Sequence, residues 1–263
     1  LALAGCSTSG EQPDSADAGY VTPGKLTIAT GQTAYEPYVI NDDPASGEGF
    51  EAALAYAIAD KLGFAADDVE WVRTSFEAAI APGPKDFDFN IQQYSITAER
   101  EKVVSFSDPY YTTNQTLVTF ADSKFAKVTK ISELKTAKLG AAVGTTSLDF
   151  IQNVIKPDGG AQVFDDNTGA KTALENKQID GIIVDLPTSG AIAYGELTNG
   201  AVVGQFVEAD PGERTRARTD LYRLARHFRG RAMLFVTHSW GGGIQRHIIR
   251  PVMPITARTI DIQ

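Results

Sequence analysis

The apolar positions of the chain follow two periods. Between residues 49 and 63 they recur three and four residues apart, which predicts an amphipathic helix that ends at Gly63. The residues predicted to face the core from this helix are Phe50, Leu54, Ala57, Ile58 and Leu62. The other apolar runs in the first 91 residues are short and rich in β-forming side chains. They predict strands at residues 25–30, 69–72 and 86–91.

The middle of the chain alternates strand and helix patterns. Residues 138–143 and 178–185 are apolar runs typical of buried strands, and residues 167–177 have the spacing of an amphipathic helix. Two further strands are predicted at residues 113–120 and 201–207.

Arg100 lies in a polar stretch between two predicted strands and is one of two arginines in the first 212 residues. Its guanidinium presents a planar fork of donors that fits a carboxylate and stays charged when buried. The alternative is a structural Arg paired with Glu99 or Glu101 on a helix face. Spacing alone does not separate these two interpretations.

Two polar turns follow predicted buried strands. Gly144, Thr145 and Thr146 open a helix after the strand at residues 138–143, an arrangement that can bind an anion or serve as a plain helix cap. Asp185 ends the other strand, where a carboxylate is costly unless it is paired. The alternative for Asp185 is to cap a helix that begins before Pro187.

Composition excludes several classes of function. Residues 1–212 carry 14 basic against 30 acidic side chains, a net charge of −16, which argues against nucleic acid as a partner of this body. The single cysteine, Cys6, excludes an intramolecular disulfide framework and any multi-cysteine metal site. The three histidines lack metal-ligand spacing. We therefore expect no metal and no cofactor.

Taken together, five motifs resemble the family 3 extracellular solute-binding proteins, the amino-acid receptors of ABC importers. They occur in the family's order with compatible spacing and cover roughly residues 25–212. The matching residues are Tyr35 to Tyr38, Gly49 to Glu51, Ser95 to Arg100 with Phe106 to Tyr110, Gly144 to Ser147, and Val184 with Asp185.

The resemblance implies an α/β fold of the two-lobed, type II periplasmic-binding-protein kind, with two crossing strands as the hinge. Residues 25–114 are then lobe 1 and residues 115–205 are lobe 2. Residues 206–212 complete the second crossing strand. A ligand is expected to be trapped in the cleft by hinge closure.

The resemblance also implies the ligand contacts. Arg100, Ser95 and the turn at Thr145 and Thr146 would hold the α-carboxylate of an amino acid, and Asp185 would pair with its α-ammonium. Gln93 would line the mouth of the site. The side chain of the ligand would be surrounded by Tyr35, Gln32 and Phe76. For Phe76 and Tyr38, packing in the core is an equally weighted alternative to ligand contact. The family usually has small residues where this chain has Gln92, Gln93 and Tyr94. The resemblance therefore does not predict the shape of the pocket for the ligand side chain. Gln32 favours a polar uncharged or acidic ligand.

The ends of the chain carry separate expectations. Residues 3–6 resemble a bacterial lipobox, so Cys6 is expected to be lipid-modified and to anchor the protein outside the cytoplasm; the alternative is a run of small residues before a free thiol. Residues 7–24 are rich in Ser, Gly, Asp and Pro and predict a disordered tether.

The character of the chain changes at residue 213. Residues 213–263 carry 10 basic against 3 acidic side chains, with all three histidines and no lysine. They do not resemble the family's C-terminal part. Our hypothesis is a reading-frame shift near Gly212–Arg214; a genuine basic tail for acidic lipid or nucleic acid is the alternative.

The predicted function is binding rather than turnover: capture of an amino acid and delivery to the permease of an ABC importer. An amino-acid sensor is one alternative. The other is a dehydratase-like enzyme on the same scaffold, for which Asp185 and Glu36 are the available acid or base groups.

Overall fold

The computed structural model describes residues 19–207 and the backbone of residues 258–261. A three-stranded parallel sheet opens the fold. β1 (Leu26–Gly31) lies between β2 (Val69–Thr74) and β3 (Phe89–Asn90), with Leu26 opposite Val69 and Ile28 opposite Phe89. All six residues of β1 are buried, as expected for the central strand of a parallel sheet.

Helix α1 (Phe50–Leu62) ends at Gly63, whose φ of 91° gives the left-handed cap that the sequence predicts. Its buried face differs from the prediction. Ala57 and Leu62 are exposed, whereas Glu51, Ala52, Ala55 and Ala59 are buried. Ala55 and Ala59 share a buried cluster with Leu26 and Ile28 of β1, so alanines supply the fully buried positions of the helix against the sheet. A short helix, α2 (Phe76–Ile80), follows β2 and is capped by the Ser75 hydroxyl, which accepts from the N–H of Ala78.

A six-stranded mixed sheet forms the second part, in the order β6-β5-β7-β4-β8-β9. β4 runs antiparallel to its neighbours β7 and β8, and the remaining pairs are parallel. The strands are β4 (Gln115–Phe120), β5 (Leu139–Ala142), β6 (Ala161–Phe164), β7 (Gly181–Asp185), β8 (Gly200–Val207) and β9 (Arg258–Asp261).

Helices cover both faces of this sheet. Leu117 and Ile183 pack on one face with helix α3 (Thr146–Phe150) and its π-helical continuation Ile151–Ile155. The other face packs against helix α4 (Asn167–Glu175) and the continuation Ala191–Glu196 of helix α5 (Leu186–Gly190). Neighbouring residues of one strand therefore face opposite cores, which explains the unbroken apolar run of β7.

The two sheets make the two lobes of a type II periplasmic-binding-protein fold, as the sequence predicts. Cys6, with the lipobox, and residues 208–257, with most of the predicted basic tail, lie outside the described residues. The backbone of residues 258–261 pairs with β8, a pairing that the sequence does not indicate. Within the described ranges, no helix combines the length and apolar character needed to cross a bilayer.

Candidate ligand-binding site

A cavity of about 290 Å³ lies where the carboxyl ends of strands from both sheets meet. This is where open α/β sheets place ligands. The cavity lining includes all nine predicted site residues, which come from six separate segments of the chain. They are Gln32, Tyr35, Phe76, Gln93, Ser95, Arg100, Thr145, Thr146 and Asp185.

Arg100 is buried, with 8% of its surface exposed, and joins the two lobes. Its Nη1 donates to the carbonyl of Ser95 at 2.8 Å, and its Nη2 donates to the carbonyl of Gly144 across the cleft, also at 2.8 Å. Burial lowers the pKa of the guanidinium from its ordinary value, but an arginine starts so high that it stays charged. The predicted alternative partner Glu99 instead pairs with Lys102.

Two aromatic rings support the guanidinium. Phe76 and Tyr94 stack with their centroids 4.2 Å apart, and the Cζ of Arg100 lies 5.4 Å from each centroid. The hydroxyl of Tyr94 donates to the carbonyl of Phe76, which fixes the pair. The aromatic side chain at position 94 therefore contributes a cation–π contact to Arg100.

The turn from lobe 2 faces Ser95. Thr145 caps α3: its hydroxyl accepts from the N–H of Leu148 at 3.1 Å and donates to the carbonyl of Ala142 at 2.7 Å. Thr146 keeps its hydroxyl toward the cleft, 3.2 Å from the hydroxyl of Ser95. The turn thus acts as a helix cap and still presents one hydroxyl to the cavity.

Asp185 sits at the N-terminus of α5, but its side chain makes no capping hydrogen bond. One of its oxygens accepts from the side-chain amide of Gln115 at 3.0 Å, and the carbonyl oxygen of that amide accepts from the hydroxyl of Ser147 at 2.6 Å. Burial raises the pKa of Asp185 to about 6, while the bond from Gln115 and the charge of Arg100 oppose the rise. The carboxylate therefore keeps unused acceptor capacity that faces the cavity.

Tyr35 closes the other side of the cleft, since its hydroxyl lies 3.2 Å from the hydroxyl of Thr168 in lobe 2. The loop that carries Gln32 and Tyr35 is held from behind by an ion pair between Arg73 and Asp42. Asp42 accepts from the N–H of Ala34 at 2.7 Å. Arg73 also donates to the carbonyl of Gln32 at 3.2 Å. Sequence analysis did not identify this support.

Gln93 has a φ of 54°, in the left-handed region that costs a residue with a side chain conformational energy. Its backbone N–H donates to Glu51 at 2.9 Å, and its side-chain amide donates to the other oxygen of Glu51. Gln93 therefore lines the cavity with its side-chain amide bonded to the helix behind it.

Sequence analysis missed several polar residues of the lining. Asp165 and Asp166 follow β6, a strand that was not predicted because it is short and lies at the sheet edge. Gln92 is buried beside β3, and Thr188 lies in α5. The rule that strand ends carry ligands would have found the two aspartates once β6 had been recognised.

Tyr38 and Glu36, whose roles the sequence did not decide, are not among the lining residues of this cavity. Tyr38 is buried beside Phe50 and faces a second cavity of about 400 Å³ behind the Gln93–Ser95 segment. Glu36 is exposed and is not among the lining residues of the first cavity.

The model of the bacterial extracellular solute-binding proteins, family 3, matches residues 26–193. The chain belongs to this family. Members of the family bind substrates for transport rather than convert them.

This family 3 protein resembles proteins whose names specify amino acids. It is 26% identical to the arginine-binding extracellular protein ArtP of Bacillus subtilis over 84% of this chain and 82% of ArtP. It is 31% identical to the glutamine-binding protein GlnH of the same organism, over 58% of this chain and 55% of GlnH. An ancestral arginine-binding protein bound to glutamine superposes with a TM-score of 0.61 at 25% identity, over 78% of this chain and 93% of that structure.

The charges around the cavity of this family 3 protein are unequal. The lining contains one cationic side chain, Arg100, and three carboxylates, those of Asp165, Asp166 and Asp185. Within the part of the chain that the structure describes, no cluster of three or more potential ligand side chains could hold a metal ion.

Proposed function

We propose that this protein captures a polar amino acid between its two lobes and delivers it to the permease of an ABC importer. One observation carries the proposal: Arg100 and Asp185 line the same cavity, each with free hydrogen-bonding capacity toward it. A buried cation and a carboxylate on one cavity complement the α-carboxylate and α-ammonium that all amino acids share.

The remaining lining residues fit that assignment. The guanidinium of Arg100 has more donors than the two bonds it makes, and the hydroxyls of Ser95 and Thr146 stand beside it as further carboxylate donors. Gln32, Tyr35 and Phe76 surround the ligand side chain. Because Asp165 and Asp166 add negative charge to the lining, we infer a polar side chain that is not acidic.

The lobes are inferred to close as units, with residues 25–114 in one and residues 115–205 in the other. Lipid attachment at Cys6 and a tether over residues 7–24 would keep the protein outside the cytoplasm beside its permease. The names of the relatives support an amino-acid ligand, since they specify arginine and glutamine.

Binding without turnover is part of the proposal. A dehydratase needs an acid or base that is free to act on the ligand. Asp185 already has a proposed ionic role, and Glu36 stands outside the cavity lining formed by the described residues.

The test is thermal unfolding of the full chain with each proteinogenic amino acid in turn. A ligand that binds only the folded state raises the midpoint by mass action, by several degrees at about a hundredfold excess over its dissociation constant. Arg100→Ala should abolish the shift, whereas Lys102→Ala, which removes an exposed cation two residues away, should preserve it.

Three outcomes would contradict the proposal. A cooperative transition that no amino acid shifts would exclude amino-acid binding at this site. A shift that persists unchanged in Arg100→Ala would place the carboxylate contact elsewhere. Appearance of a new product on incubation with the bound amino acid would instead favour the enzyme alternative.

A further inference from the structure

Glu51 is a fully buried carboxyl group to which the proposed binding role assigns no contact. It lies in the first turn of α1, with its relative exposure at 0%. Among the described residues it forms no ion pair and accepts hydrogen bonds from uncharged donors only. For packing alone, an apolar side chain of similar size would serve as well or better, because a buried carboxylate loses its hydration.

The donors to Glu51 come from two segments: one lines the ligand cavity, and the other leads into the strand that connects the lobes. Both N–H groups of Gln93, backbone and side chain, donate to it, one to each oxygen. The hydroxyl of Tyr110 donates to the same oxygen as the backbone N–H, at 2.5 Å. Tyr110 precedes β4, the first strand to run from lobe 1 into the second sheet.

Gln93 needs external support to keep its conformation. Its φ of 54° is one that glycine adopts freely and residues with a Cβ avoid. Directly after it, Tyr94 supports the guanidinium of Arg100, and the carbonyl of Ser95 accepts from that guanidinium. A change in the backbone of Gln93 would therefore displace the contacts that orient Arg100.

We propose that Glu51 is a positioning residue of the ligand site: its carboxyl group holds Gln93 in the left-handed turn that presents residues 93–95 to the cleft, and links that turn through Tyr110 to the connection between the lobes. Glu51 acts through Gln93 and does not touch the ligand. The effect on affinity rests on the proposed amino-acid binding, whereas the effect on the turn does not.

The first measurement is backbone amide hydrogen exchange at Gln93 in the ligand-free full chain. Glu51→Leu keeps the core filled and removes the acceptor, so exchange at Gln93 should become at least about tenfold faster. Glu48→Leu, an exposed glutamate three residues earlier, is the matched control and should leave exchange unchanged. Equal exchange at Gln93 in the unmodified chain and in Glu51→Leu would overturn the proposal.

The second measurement is a double-mutant cycle on affinity, with L-arginine and L-glutamine as probes. In the chain with Gln93, Glu51→Leu should weaken binding at least about tenfold while the melting temperature stays within a few degrees. In a Gln93→Gly background the same change should weaken binding less than about threefold, because glycine takes the left-handed turn unaided. Glu51→Gln, which retains one acceptor oxygen, should fall between.

The outcomes separate the two proposals. If the unmodified chain binds neither probe nor any other amino acid, the proposed function fails, and the exchange measurement alone decides the role of Glu51. If the unmodified chain binds and Glu51→Leu costs the same factor in both backgrounds, the side chain contributes only to general stability and the positioning role is wrong.

Discussion

At the scale of single residues, burial shifts the pKa values of the charged groups that line the cleft. Asp185 shows this most clearly. It is only partly buried, yet desolvation outweighs the bond from Gln115 and the charge of Arg100, and the pKa rises to about 6. An amino acid bound through its ammonium needs the ionised carboxylate, so protonation of Asp185 competes with binding.

This competition predicts the pH dependence of affinity. Above pH 6 Asp185 is ionised and the dissociation constant should be flat; below pH 6 it should rise by up to about tenfold per pH unit, because binding then requires loss of a proton. Titration calorimetry at pH 7.5, 6 and 5 measures the slope. Asp185→Asn should bind more weakly at pH 7.5 and lose the slope; a variant that keeps it would show that another group titrates.

At the scale of elements, Gly49 fixes where α1 begins. Its φ is 106°, and a Cβ at this position would lie 2.4 Å from the carbonyl oxygen of Tyr38. Gly49→Ala should therefore lower the melting temperature by several degrees through both strain and clash. Gly83→Ala is the matched control: its φ is 121°, but no atom lies within 4 Å of the added Cβ. Equal melting temperatures for the two variants would show that the clash is relieved without cost.

The elements also show how far the sequence predicts this fold. The periodicity of residues 50–62 and Gly63 predict α1 and its end, because helix period and a left-handed cap are local properties. The buried face of α1 is not local. It depends on which side of the helix packs against the first sheet. Ala55 and Ala59 lie in a buried cluster with β1, whereas Leu62 is 51% exposed.

The candidate site shows the same difference between local features, which the sequence predicts, and non-local contacts, which it does not. All nine residues that the family resemblance suggested line one cavity. Several of them, such as Tyr35, Thr145 and Asp185, follow or end strands that are recognisable from the sequence. The supports behind them were not predicted. The bond from Gln93 to Glu51 spans 42 positions and the Arg73–Asp42 pair spans 31, so neither leaves a local pattern.

At the scale of the whole molecule, the raised pKa values of Glu51 and Asp185 make the free energy of unfolding depend on pH. Burial raises the pKa of Glu51 to about 7, opposed by its bonds from Tyr110 and Gln93 and reinforced by the charge of Asp185. The folded chain therefore binds more protons than the unfolded chain between about pH 4.5 and 7. This contribution to the free energy of unfolding is fully present below about pH 4.5 and is lost as the pH rises through 7.

This linkage predicts that the ligand-free chain unfolds more easily at pH 8 than at pH 5, with Glu51 accounting for up to about 3 kcal/mol of the difference. Urea unfolding at both pH values measures it. Glu51→Gln cannot ionise and should remove most of the difference, whereas Glu48→Gln should retain it. A pH profile that is identical in Glu51→Gln and the unmodified chain would contradict the assignment.

Direct contacts across the cleft make closure itself testable. Arg100 to Gly144, Ser95 to Thr146 and Tyr35 to Thr168 each join one lobe to the other. Of these, the hydroxyl of Tyr35 can be removed without disturbing the carboxylate or ammonium contacts. One neutral hydrogen bond contributes about 1 kcal/mol, so Tyr35→Phe should speed ligand dissociation about fivefold while the ring still lines the cavity.

Stopped-flow dissociation measures this effect, and Tyr194→Phe is the matched control because that tyrosine is 54% exposed on lobe 2. Thr168→Val should match Tyr35→Phe, and the double variant should add little, because both changes remove the same bond. Additive losses would mean that the two hydroxyls act separately. An unchanged dissociation rate in both single variants would mean that ligand release does not require this contact to break, and that the lobes are held closed by the ligand and Arg100 alone.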